Sequence, residues 1–128
     1  MMSGKTVPAP MIIYTSRGDW GAFLIYPHLF NPIGEWIGWA TSKKEIYNLD
    51  GIYVGSISSD QRIVRKRVQD SQPPKKPVPT PPGKPRIPAS IPLPPQMAEI
   101  PYDMVDIIED MPDLLHTMDS GEFKPDVE

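Results

Sequence analysis

The sequence predicts an all-β fold: a small pseudo-symmetric repeat of about four β-hairpins, followed by a disordered proline-rich spacer and a short acidic amphipathic helix. An apolar-aromatic pair, a glycine and a second aromatic residue recur three times between residues 13 and 57, at steps of 16 and 17. Twelve of the 18 prolines lie between residues 73 and 101, so the folded domain is shorter than the chain. Apolar residues at helical spacing follow the prolines.

These observations divide the chain into five segments. We expect a flexible N-terminus over residues 1–10, the hairpin domain over 11–68, a proline-rich linker over 69–101, the helix over 102–118 and a disordered C-terminal end over 119–128. Proline at this density removes backbone donors and favours the extended polyproline II conformation. A basic residue before a PxxP pattern at Lys76–Pro82 also fits a ligand for a proline-binding groove. A spacer and such a ligand are the two interpretations of this segment.

Each copy of the repeat carries the residues of a β-hairpin loop. The apolar-aromatic pair ends the incoming strand, and a turn sequence leads to a glycine. That glycine suits the left-handed position of a G1 bulge after a type I turn. We therefore assign a structural turn role to Gly18, Gly34 and Gly51.

The strand that leaves each turn begins with a large ring at Trp20, Trp36 or Tyr53, and a small residue stands two positions later. Strict alternation would place the ring and the small residue on one face. We therefore expect each ring to pack over a small residue of the neighbouring strand. Together with Trp39, these rings are also candidates for an aromatic platform that stacks a sugar or a nucleotide.

A fourth copy begins but is incomplete. Ile63 and Val64 fit the opening pair. The positions that should hold the glycine, the ring and the small residue are occupied by Val68, Asp70 and Gln72. Either the second strand of this unit is missing, or residues 4–7 complete the ring from the other terminus.

The repeated pairs and turn glycines resemble the four-fold beta flower domain, a small bacterial module of four β-hairpins around a pseudo-four-fold axis. The resemblance covers residues 11–68, which is under half of the chain. It implies a fold and no established activity.

Charge is divided along the second half of the chain. Residues 62–86 carry eight basic and one acidic side chain, and residues 97–128 carry one basic and ten acidic. Arg65 and Arg67 are candidates for contact with a partner, although charges on an edge strand also deter unwanted pairing. The formal net charge of −3 makes nucleic acid an unlikely partner.

The acidic segment has the pattern of an amphipathic helix, which Pro112 would kink. Ile108 and Leu115 represent its apolar positions as candidate binding residues. This helix could dock in a groove on a partner, fold back on its own domain or remain disordered.

The composition bounds the function as well. The chain has no cysteine and no spaced cluster of metal ligands, so we expect no enzyme activity, no metal and no cofactor. The start has no apolar run of signal-peptide length and no stretch would span a membrane, so we expect a cytoplasmic protein. We interpret it as an adaptor: the β-domain holds an unidentified protein or its own copy, and the tethered helix captures a second partner. The alternative is a small-ligand module for a sugar or a nucleotide.

Overall fold

The structure is a computed structural model that describes residues 9–68 and 71–118. The described residues form one antiparallel sheet of eight strands, in which each strand pairs with the next along the chain. This meander confirms the predicted all-β fold. The strands are β1 (Met11–Tyr14), β2 (Trp20–Ile25), β3 (His28–Phe30), β4 (Trp36–Ala40), β5 (Glu45–Tyr47), β6 (Tyr53–Ile57), β7 (Ile63–Lys66) and β8 (Met104–Asp106). The helical turn α1 (Ile107–Asp110) and a 3-10 turn over Pro112–Leu114 follow β8.

The strands form four antiparallel pairs, which we call units 1 to 4 from β1–β2 to β7–β8. Units 1 to 3 are hairpins, whereas the strands of unit 4 are far apart in the sequence. Several expectations concern residues that lie outside the described ranges. These are the N-terminal residues 1–8, including the segment 4–7 suggested as a closing strand, the start of the linker at 69–70, and the C-terminal end at 119–128.

The loops of units 1 to 3 share one geometry. Gly18, Gly34 and Gly51 have φ angles of +86°, +87° and +79°, in the left-handed region that favours glycine. Each glycine N–H donates to the carbonyl three residues earlier, as from Gly34 to Asn31 at 2.9 Å. The Asn31 side chain also accepts a bond from the backbone N–H of Glu35 at 2.9 Å. The turn sequences thus satisfy their own backbone groups.

A β-bulge beside each loop decides which way the rings point. In unit 1, Ile13 pairs with Ala22. The next residue, Tyr14, pairs with Trp20, so Gly21 is skipped. The skipped residue breaks the alternation and puts Trp20 and Ala22 on opposite faces. The predicted arrangement, with ring and small residue on one face, is therefore wrong, and the same register shift occurs in units 2 and 3.

The main core lies on the face away from the rings. It contains the apolar member of every opening pair, each of them 0% exposed. These residues are Ile13, Leu29, Ile46 and Ile63. Val105 and Ile107 join the same cluster from residues 102–118, which we call the tail. Four units and the tail therefore build one core.

The second strand of unit 4 comes from the tail. β8 pairs with β7 in antiparallel register, with Val64 opposite Asp106 and Lys66 opposite Met104. Neither expected alternative, a missing strand or closure by residues 4–7, included this pairing. The edge of β7 presents unpaired N–H and C=O groups, which an extended segment can satisfy wherever it lies in the sequence.

The helix expected over residues 102–118 is correspondingly short. Residues Met104–Asp106 are strand, and α1 spans only Ile107–Asp110. Pro112 begins the separate 3-10 turn, where its lack of an N–H costs nothing. The spacing of the apolar residues predicts a helix over the whole segment, but the pairing of Met104–Asp106 with β7 outweighs this local propensity.

Gln61 covers the free edge of β1. Its carbonyl accepts the Tyr14 N–H at 2.8 Å. Its side-chain Nε2 donates to the Ile12 carbonyl at 2.6 Å. One residue thus makes two hydrogen bonds that a neighbouring strand would have made, and this contact joins unit 4 to unit 1.

Candidate functional site: the aromatic face and the strap

The side of the sheet opposite the core is lined with rings, which we call the aromatic face. Its rings form contacts along the first three units, including stacked pairs of Phe23 with Phe30 at 5.3 Å and of Trp39 with Tyr47 at 4.8 Å between centroids. The face consists of Tyr14, Trp20, Phe23, Phe30, Trp36, Trp39, Tyr47 and Tyr53.

The proline-rich segment expected to be a free spacer lies against this domain. Residues 73–98, which we call the strap, are extended and contain no helix or strand. Ile91 and Met97 pack against the cluster of Ile12, Tyr14 and the two phenylalanines. The Tyr14 hydroxyl donates to the Pro92 carbonyl at 2.8 Å. The apolar side chains among the prolines thus find a surface that a spacer would not use.

Burial along the strap has a period of three residues. The partly buried positions at this spacing are Pro73, Pro79, Pro82, Pro85, Pro88, Ile91, Pro94 and Met97, and Pro95 is partly buried outside it. Lys76 also stands at this spacing but is exposed, and its N–H donates to the Gly51 carbonyl at 3.0 Å. Three residues is the turn of a polyproline II helix, so one edge of such a helix faces the domain. This signal could have been found in the sequence, since six of these positions are proline.

The strap passes the turn glycines in reverse order. The Lys76 carbonyl lies where a Cβ of Gly51 would be. Ile87 side-chain atoms lie 3.0 and 3.1 Å from the Cβ position of Gly34, and Pro94 lies 3.5 Å from that of Gly18. The turn glycines therefore provide a left-handed conformation and also leave room for the strap.

The end of the strap is held by a buried ion pair. Ala98 donates its N–H to Asp60 Oδ2 at 3.1 Å. Arg62 Nη2 donates to the Ala98 carbonyl at 2.6 Å. Arg62 also donates from Nε to Asp60 Oδ1 at 3.1 Å, and its hydrogen bonds hold the pKa of Asp60 below the usual value. Both backbone groups of Ala98 are thus fixed by charged partners, which gives strong hydrogen bonds.

The same network reaches the first turn and the tail. Arg62 Nη1 donates to Ser16 Oγ at 2.9 Å. The Ser16 N–H and hydroxyl both donate to Asp106 Oδ2 at 2.7 Å. Asp106 Oδ1 accepts the backbone N–H groups of Ile108 and Glu109 and so caps α1. Unit 1, unit 4, the strap and α1 therefore meet in one polar cluster.

The predicted ring positions fall on the aromatic face. Trp20, Trp36 and Tyr53 are half-buried, and Trp39 is 8% exposed. Trp20 Nε1 donates to the Ala22 carbonyl at 2.9 Å. In the described part of the chain, the indole N–H groups of Trp36 and Trp39 have no hydrogen-bond acceptor.

His28 lies beside these two indoles. Its ring meets that of Trp36 edge-on at 5.6 Å, and its backbone pairs with Trp39. Its Nδ1 also has no partner among the described residues. Burial lowers the pKa of His28, which favours the neutral ring.

The two predicted basic residues lie beside the tail. Arg67 donates from Nε to the Tyr102 carbonyl at 3.2 Å and from Nη2 to the Met104 carbonyl at 3.3 Å. Its guanidinium lies 5.9 Å from the centroid of the Tyr102 ring. Arg65 stands opposite Val105 in the β7–β8 pair. Both residues therefore lie where the tail joins the sheet.

The predicted apolar residues of the tail contact the chain's own domain. A Cβ on Gly21 would lie 2.9 Å from an Ile108 methyl carbon, and a Cβ on Gly38 would lie 3.3 Å from a Leu115 methyl carbon. Both side chains are half-buried against the main core. Asn48 Nδ2 also donates to the Leu114 carbonyl at 3.0 Å. Of the three alternatives for this segment, the structure has the folded-back one.

Residues 9–68 and 71–118 contain no group of three or more histidine or acidic side chains placed to hold a metal ion. Within the same ranges, no helix has the length and apolar character needed to cross a bilayer.

A family model described as 4-fold beta flower protein matches residues 6–99, which include units 1 to 3, β7 and the whole strap. No curated protein and no solved structure matches the chain.

Proposed function

This chain belongs to the 4-fold beta flower protein family, and we propose that it is a non-enzymatic protein-interaction module that binds extended proline-rich segments on its aromatic face. The strap is the ligand that this face holds in the free chain. The comparisons assign no activity, so the proposal rests on the contacts between the strap and the domain.

The observation that carries the proposal is the three-residue period of strap burial. A polyproline II helix has no internal hydrogen bonds, and its carbonyls remain available to donors on a receptor. Receptors for such segments present aromatic rings and hydroxyl or indole donors. The Tyr14 hydroxyl on the Pro92 carbonyl, with Ile91 packed against the same aromatic cluster, is this mode of recognition within one chain.

The strap also suits low-cost binding. Proline restricts the backbone before the segment docks, so less conformational entropy is lost on ordering. Side-chain packing along one edge of the strap then supplies most of the binding free energy, and each net hydrogen bond adds about 0.5–1.5 kcal/mol.

The fold argues against the other interpretations. Bound sugar or nucleotide would need the rings that pack with Ile91 and Met97. Asp60, whose pKa is lowered by its hydrogen bonds with Arg62, holds Arg62 and the strap and is not left for catalysis. Because Ile108 and Leu115 contact their own core, a free tethered helix is no longer part of the proposed mechanism.

Ile91→Ser tests the proposal, with Leu93→Ser as its matched control. Ile91 packs on the aromatic cluster, whereas Leu93 is 91% exposed two residues later. Trypsin cleavage at the Arg86–Ile87 bond reports release of the strap. We expect Ile91→Ser to speed cleavage roughly tenfold, for a loss of about 1.4 kcal/mol of docking free energy, and Leu93→Ser to match the unchanged chain. Equal cleavage in the two variants would show that the aromatic face does not hold the strap.

A further inference from the structure

Two buried donors on the aromatic face are left unused by the strap. Trp39 is 8% exposed, and its indole N–H has no acceptor among the described residues. The same is true of the indole N–H of Trp36. An N–H removed from water without an acceptor costs free energy, so native structures rarely keep such groups without a reason.

Both indoles belong to unit 2, and the strap contacts their neighbours. Trp36 follows Gly34 by two residues, and Ile87 contacts that glycine. Trp39 stacks on Tyr47, whose ring lies 5.8 Å from Lys76 Nζ. Donors beside the first unit differ, because the Tyr14 hydroxyl has the Pro92 carbonyl as its acceptor.

Hydrogen bonds join the strap to the domain at its ends and not in its middle, where the contacts are apolar. Lys76 bonds to Gly51 at one end. At the other end, Pro92 and Ala98 bond to Tyr14 and to the buried ion pair. Between them, no hydrogen bond joins residues 77–91 to the described part of the domain. Ile87, which contacts the Gly34 loop of the unit that carries both indoles, lies within this stretch.

We propose that this part of the aromatic face accepts a proline-rich segment of another protein in place of strap residues 77–91, and that the indole N–H groups of Trp36 and Trp39 donate to its backbone carbonyls. This inference rests on the proposed function. The contacts of Ala98 with Asp60 and Arg62, and the pairing of β8, keep the chain assembled while the middle of the strap is displaced.

The tethered strap competes with any such ligand. Its high effective concentration weakens the apparent affinity of a free peptide, and a variant with a loosened strap binds better. Ile91→Ser supplies that variant, because it alters the strap and none of the rings.

Decaproline is the probe for the test, with a ten-residue Gly-Ser peptide as control. The chain has three tryptophans, so its indole N–H resonances can be assigned by replacing each with phenylalanine. In a titration of the full chain followed by NMR, we expect saturable downfield shifts of the Trp36 and Trp39 signals and little change at Trp20, which already has an acceptor. The Ile91→Ser chain should bind more tightly. Trp36→Phe in that background should weaken binding roughly fivefold, while Trp20→Phe should not.

The outcomes separate the two proposals. If Ile91→Ser loosens the strap but decaproline gives no saturable shift in either chain, the inference is overturned, while the proposed binding of the strap by the aromatic face stands. Equal shifts with the Gly-Ser peptide also overturn the inference, since the site would not distinguish proline. If Ile91→Ser leaves the strap as protected as before, the proposed function fails, and this inference fails with it.

Discussion

At the residue scale, the turn glycines combine two requirements. Gly34 adopts a φ of +87°, which a side chain with a Cβ resists. The closest Ile87 atom lies 3.0 Å from the position of that Cβ. Gly83, which lies in the strap, has no neighbour within 4 Å of its own Cβ position, so the chain offers a control glycine at which a side chain would meet nothing. A side chain at position 34 would therefore disturb both the turn and its contact with Ile87 of the strap.

Gly34→Val is expected to lower the melting temperature by roughly 10 °C, since strain at positive φ costs about 1–3 kcal/mol and 1 kcal/mol shifts a small domain by about 4–8 °C. Gly83→Val should melt like the unchanged chain. Thermal melts followed by circular dichroism compare the two. Equal melting temperatures for both variants would contradict the turn geometry.

Asp60 gives a prediction about pH. Because the hydrogen bonds from Arg62 lower its pKa in the folded state, its stabilising effect is complete above the ordinary aspartate pKa of 3.8 and is lost as pH falls toward the folded-state pKa. The difference in unfolding free energy between the unchanged chain and Asp60→Asn should therefore shrink below pH 3.8. Urea unfolding at several pH values measures it, with exposed Asp19→Asn as control. If this difference in unfolding free energy stays constant as pH falls, the Asp60–Arg62 ion pair does not stabilise the fold.

At the element scale, β8 completes the sheet from a distant part of the chain. It covers the edge of β7, and Val105 and Ile107 enter the main core beside it. Loss of this strand would leave the edge of β7 unpaired and a gap in the core.

A chain that ends at residue 101 should therefore melt at lower temperature than a chain that ends at residue 118, which keeps the whole described tail. The exposed edge of β7 should also make the shorter chain self-associate. Light scattering measures its mass, and calorimetry measures its melting. If both truncations have the same mass and melting temperature, β8 is not part of the folded domain.

The limits of prediction from sequence also appear at this scale. Units 1 to 3 could be predicted because local sequence specifies their turns, with Gly18, Gly34 and Gly51 at a constant sequence spacing from the apolar-aromatic pairs. β8 could not, because it pairs with β7 across an interval of 37 residues, and no local signal marks that partner. The faces of the rings differ from the prediction for another reason. The turn glycine predicts a bulge, and the bulge breaks the period of two between Trp20 and Ala22, so the two side chains lie on opposite faces.

At the scale of the whole molecule, the strap makes the β-domain both a scaffold and a receptor. Between Lys76 and Ala98, the strap passes units 3, 2 and 1 and then reaches unit 4. Its period of three was visible in the spacing of its prolines, but a proline-rich composition alone is equally typical of a free linker. What the composition does not contain is the aromatic surface that meets one edge of the strap.

Cysteine scanning of the strap tests this account most directly, because the chain has no cysteine of its own. Single cysteines at each position from 84 to 92 can be labelled with a thiol reagent, with the urea-unfolded chain as reference. We predict slow labelling at every third position, Pro85, Pro88 and Ile91, roughly tenfold slower than at their neighbours if docking contributes about 1.4 kcal/mol. Uniform labelling at the rate of the unfolded chain would mean that the strap is a free linker and that the aromatic face holds no proline-rich ligand.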